Sequence, residues 1–144
     1  MSKGIRFSLI EKDDDYLMIC VAVQDELTTL SDSIFINNDG IENLISTLKK
    51  FRLYQDSDNF SFALGRFEKG YAGGAVKVCL LFDSMRKIII DVHIRRNSHD
   101  SDGQVEVSEA RFHLKSDSSK LDQFIHGLET IDSGDDTEAF FEVF

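Results

Sequence analysis

An α+β domain, in which an antiparallel meander carries two amphipathic helices packed on it, is the fold class the sequence predicts. Three observations carry that prediction. Runs of β-branched and aromatic residues recur along the chain, separated by short turn-like segments. Two stretches instead repeat apolar residues at i, i+3, i+4 and i+7. No shift of composition divides the 144 residues, a length that one hydrophobic core can serve. A single domain over 1–144 is therefore expected, ending in an acidic, phenylalanine-rich segment, 132–144.

The elements follow in order. RFSLI near Phe7 and YLMICVAV from Tyr16 to Val23 read as strands either side of the turn-like KDDD. YLMICVAV is apolar on both phases, as a central strand covered on both faces would be. SIFIN around Phe35 is a short third strand. The period then changes: Ile41, Leu44, Ile45, Leu48 and Phe51 mark one helical face. Asn38 or Asp39 can cap its start, and Lys49, Lys50 and Arg52 suit the negative end of its dipole. QDSDN breaks the pattern. Four strands are expected next: FSFALGRF, AVKVCLLF, KIIIDVHIRR and VEVSEARFHLK, a meander. In the last, Val105 and Val107 lie on one phase and Ala110, Phe112 and Leu114 on the other, which predicts a β-bulge near Ser108 and Glu109. Leu121, Phe124, Ile125, Leu128 and Ile131 form a second helical face, with N-caps on offer from Ser116 to Ser119. Gly127 within it costs about 1 kcal/mol against alanine and marks a close backbone approach. The tail rings Phe140, Phe141 and Phe144 are an aggregation liability if exposed, so the segment is expected to dock on its own domain as an edge strand.

Composition limits function. The net charge is −10, from 16 basic and 26 acidic side chains. Nucleic-acid binding rests on cations that neutralise phosphates, and anionic membrane surfaces make the same demand, so both are disfavoured as partners. A basic protein is the natural complement. No apolar run approaches the ~20 residues that span a bilayer, and MSKGIRFSLIEK lacks the apolar region of a secretory signal. A cytoplasmic location is expected. Cys20 and Cys79 then read as lone buried thiols, with a bridge left open.

The stretch SHDSDGQVEVSE, Ser98 to Glu109, matches most of a calcium loop: Asp100, Asp102, Gly103, Val105 and Glu109 fall on template positions, and Ser98 replaces the first aspartate. Such a loop needs helices on both sides, whereas IIIDVHIRR and VEVSEARF both read as strands. Asp102-Gly103 as a hairpin connection is the simpler reading. No HExxH, CxxC or GxSxG spacing occurs, and EKGYAGGAVK lacks the end of a phosphate loop and a following helix. No metal, cofactor or catalytic residue is therefore assigned. One acid/base arrangement is conceivable: His93, His113 and Lys77 on an open sheet face.

The stretch EARFHLKSDSSKLDQFIHGLETI, in which an alternating strand runs into an aspartate-capped helix with L-x-x-F-x-x-x-L, resembles the finish of small immunity proteins of bacterial polymorphic toxin systems. HDSDG followed by SE is similar to a segment of some contact-dependent-inhibition immunity proteins. The resemblance covers about the second half of the chain at the level of pattern; the tryptophans common in the wall-associated toxin immunity family are absent. It implies a non-enzymatic, stoichiometric inhibitor that binds the C-terminal domain of a cognate toxin, often a nuclease with a basic surface. Asp13, Asp14, Asp100, Asp102, Asp135 and Asp136 are the candidate contacts. The alternatives are a calcium-binding or calcium-stabilised module using the 98–109 loop, and a small hydrolase built on His93 and His113.

Overall fold

Both helical faces form where the apolar spacing puts them. α1 spans Gly40–Leu53 and buries Ile41, Leu44, Ile45, Leu48 and Phe51. α2 spans Ser118–Ser133 and buries Leu121, Phe124, Ile125, Leu128 and Ile131. The cap of α2 is Asp117, whose carboxylate accepts the Lys120 amide at 3.0 Å. Gly134 ends the helix in the left-handed region, at φ 85°. In α1 the Asp39 carbonyl accepts the Asn43 amide at 2.9 Å. Ion pairs Arg52–Asp122 and Lys49–Glu129 tie the end of α1 to the start of α2, and the turn before it to the later turns of α2. The helices therefore run antiparallel, with the start of α1 beside the end of α2.

The computed structural model describes residues 3–53, 60–67, 74–99 and 102–144. The expected break at QDSDN and most of the glycine-rich EKGYAGG lie outside them. The strands are β1 (Gly4–Lys12), β2 (Tyr16–Gln24), β3 (Thr29–Asn37), β4 (Phe60–Gly65), β5 (Ala75–Phe82), β6 (Ile88–His99), β7 (Val105–Ser116) and β8 (Glu138–Glu142). The α+β class is as predicted, but the strands form two antiparallel sheets of four, ordered β3-β2-β1-β8 and β4-β5-β6-β7. The second is the expected meander. The first gains the tail: β8 pairs with β1, Phe141 opposite Ile5 and Ala139 opposite Phe7.

One core unites both sheets and both helices. Phe124 meets Phe7 edge-on at 5.4 Å and stacks on Phe141 at 5.3 Å, joining α2 to the first sheet. Phe51 stacks on Phe82 at 4.6 Å, joining α1 to the second. Each fully buried ring among them, Phe7, Phe51, Phe124 and Phe141, is worth roughly 1.5–3 kcal/mol in desolvation. The sheets are also stitched directly. The Phe144 amide donates to the Lys115 carbonyl at 2.9 Å and the buried Ser116 hydroxyl to the Glu142 carbonyl at 2.6 Å. On the other flank the Gly74 amide donates to the Ser33 carbonyl.

Two expectations are corrected. YLMICVAV is central, as expected, but β2 alternates strictly between buried and half-buried residues, so only one face is fully covered. The bulge near Ser108 and Glu109 does not form: β6 and β7 pair without a register shift from Ile88↔Ser116 to His99↔Val105. Val107 simply sits on the solvent-facing phase, 44% exposed, where the hairpin outruns the core. A bulge exists instead in β1, between Leu9 and Glu11, leaving Ile10 unpaired and exposed.

Candidate functional site

Chain reversal at one end of the first sheet gathers acidic segments that are distant in sequence. β1 ends in the Asp13–Asp15 turn, closed by the Asp13 amide donating to the Tyr16 carbonyl at 2.9 Å. β3 ends beside it, with Asn37 opposite Tyr16 and the Asn38 side-chain amide donating to the Asp14 carbonyl. The α2–β8 turn arrives at the same end, since the Leu9 amide donates to the Thr137 carbonyl at 2.7 Å. Asp13, Asp14, Asp135 and Asp136, four of the expected contacts, are thus brought to one pole. Glu11, Asp15, Asp39 and Asp132 join them.

Many carboxylates elsewhere on the molecule are paired with cations, although among the described residues Asp25, Asp32, Glu42 and Asp117 are in no salt bridge. Glu26, Glu129, Asp122, Glu138, Glu142 and Asp83 each have a lysine or arginine within 4 Å. Among the described residues no salt bridge reaches Glu11, Asp13, Asp14, Asp15, Asp39, Asp132, Asp135 or Asp136. Asp135 accepts from the Ser133 hydroxyl and Asp136 caps the Thr137 amide, which orders them without neutralising them. Lys12 is the one cation in the first turn. The uncompensated field is felt by Tyr16, whose phenol is pushed above its ordinary pKa chiefly by Glu11, then by desolvation and Asp13. The end of α2 carries no basic residue in its last turn, so Asp132 faces the negative end of the helix dipole.

Beside this pole lies a cleft of about 590 Å³ between β3, the start of α1 and the edge strand β4. Tyr16 and Phe35 line it as an edge-on pair at 5.5 Å, and Phe35 is 42% exposed. An aromatic pair flanked by unpaired carboxylates suits a protein surface with apolar and cationic groups.

The remaining expected residues lie elsewhere. Asp102 is exposed on the β6–β7 hairpin, on the second sheet, and Asp100 lies outside the described residues. The hairpin reading holds: both flanks are strands, and Gly103 adopts φ 79°. Glu109, the last calcium-loop position, lies along β7 with its carboxylate 2.9 Å from His93 Nε2 and 3.7 Å from Arg95 Nε. The hydrogen bond to His93, then the charges of His93, Arg95 and Arg111, hold its pKa below the usual range. Lys77, His93 and His113 do line one cleft on the open face, with Cys79, Asp91 and Arg111. His113 Nδ1 is 2.5 Å from Asp91 Oδ1. Cys20 and Cys79 are free, half-buried thiols; burial, then Asp32, raises the pKa of Cys20. No helix among the described residues is long and apolar enough to cross a membrane.

Glu11, Asp15, Asp39 and the Tyr16–Phe35 pair were not expected as site residues. Glu11 and Asp15 sit in the same acidic run as Asp13, a signal available in the sequence. Asp39 joins only through the pairing of β3 with β2. No protein-family model matches the chain, and no curated protein or solved structure matches it.

Proposed function

We propose that this protein is a non-enzymatic binding partner of a basic protein domain, an immunity-type inhibitor that docks its acidic pole on a cognate toxin and neutralises it one to one. The observation that carries this reading is the gathering of carboxylates without cationic partners beside the Tyr16–Phe35 cleft. A cationic face approaching this pole is steered by the field, and the aromatic pair supplies the apolar anchor that charge alone does not. A basic nuclease is the toxin class such a surface fits, because its nucleic-acid face would be covered by acid.

The test is calorimetry against the C-terminal domain of the protein encoded immediately upstream, at low and high salt. Tight one-to-one binding that weakens with salt is expected. Asp13→Lys with Asp135→Lys should weaken it at least about tenfold, while Asp102→Lys on the other sheet should change it little. Absence of binding at both salts overturns the reading for that partner, and binding insensitive to the double reversal removes the pole as the contact surface.

A further inference from the structure

The outer face of the second sheet carries the opposite pattern. Lys77, His93 and Arg111 are direct cross-strand neighbours on β5, β6 and β7. Side chains opposed in this way stand about 4.5–5.5 Å apart at Cβ, so His93 is flanked by one cation on each side. Carboxylates are abundant in this chain, 26 acidic against 16 basic residues. Among the described residues no salt bridge reaches Lys77 or Arg111. The two carboxylates of this face are engaged with neighbours: Glu109 with His93 and Arg95, and Asp91 with His113. The charge of Arg111 acts on Glu109 without a salt bridge. The imidazole between the two cations is held by Glu109 on one nitrogen and by Phe67, stacked at 4.6 Å, on its face.

The row lines a cleft of about 480 Å³, inside the roughly 300–1,000 Å³ range of small-molecule sites. We infer that this cleft binds a small phosphate-class oxyanion, clamped between Lys77 and Arg111 over His93. The forked guanidinium of arginine matches an oxyanion in geometry, and lysine adds a point charge. The net charge of −10 repels long polyanions, which restricts the ligand to a compact one such as free phosphate or a phosphomonoester. This site is separate from the acidic pole, and its test does not depend on the partner.

Inorganic phosphate and a nucleoside monophosphate are titrated into the isotopically labelled full chain at low ionic strength, and amide shifts are followed by NMR. Saturable shifts centred on Lys77, His93 and Arg111 are expected. Lys77→Gln and Arg111→Gln should each weaken binding about tenfold, and Lys50→Gln on α1 should not. Tighter binding of the monophosphate identifies an ester as the ligand; equal binding identifies the free anion. Shifts that do not saturate, shifts centred elsewhere, or Gln variants that titrate like the parent protein overturn the inference.

Discussion

Gly127 shows how a single residue can oppose its own helix. Alanine there would improve helix propensity by about 1 kcal/mol. A Cβ at this position, however, would stand 2.9 Å from the Ala139 Cβ and 3.0 Å from its Cα. Ala139 lies in β8, whose register is set by pairing with β1, so its backbone cannot withdraw. Overpacking of this kind costs about 1–3 kcal/mol. Gly127→Ala should therefore lower the melting temperature, and adding Ala139→Gly should recover part of the loss. Asp117 acts through a hydrogen bond instead. The Lys120 amide, then the Ser119 hydroxyl, holds its pKa below the ordinary value of 3.8. A depressed carboxylate adds stability that is present above its unfolded pKa and is lost as pH falls through the folded one. Asp117→Ala should thus lose about 1 kcal/mol at neutral pH, and urea unfolding at successively lower pH should show that gap shrink as the folded-state carboxylate titrates. Asp32 works in the opposite sense: burial raises its pKa, so its contribution grows more favourable towards acid.

At the scale of elements, the β6–β7 hairpin favours a turn over a metal loop. Glu109 would have to leave His93 and Arg95 to reach an ion at the tip, and rigid strands hold its backbone along the ladder. Millimolar calcium should leave the melting temperature unchanged; a rise abolished by chelator would restore the calcium reading. The same hairpin shows what periodicity conveys. Ile88, Ile90, Val92 and Ile94 are buried and alternate with exposed or half-buried residues, as read from the chain. Both helical faces were equally legible, because each is a local pattern that repeats every turn. The division into two sheets was not, since alternation says which face of a strand is apolar and nothing about which edges meet. The docking of β8 was legible through its rings, but its partner, β1, lies at the far end of the sequence. The acidic pole was half legible for the same reason: the runs are visible, while their meeting depends on the β1–β8 register and the antiparallel helices.

For the whole molecule, the proposed role of the pole sets stability against binding. Its carboxylates repel one another, and Asp132 adds to the negative end of the α2 dipole. A fold selected for stability alone would place a cation there, as it does at Lys49–Glu129 and Arg52–Asp122 along the same helix pair. Salt screens such repulsion, with a Debye length of about 10 Å at 0.1 M. Raising sodium chloride should therefore raise the melting temperature of the free protein and, on the proposed function, weaken its complex with a basic domain. Asp132→Asn with Asp135→Asn should reproduce both effects at low salt. Each change should add about 0.3–1 kcal/mol of stability at most, flatten the salt dependence of melting, and reduce the association rate more than it raises the dissociation rate, because long-range charge acts mainly on encounter. Thermal melts and stopped-flow association on the same variant separate the two effects. A variant that is more stable and binds just as fast would mean that the acidic pole is a solubility device and that the partner docks elsewhere.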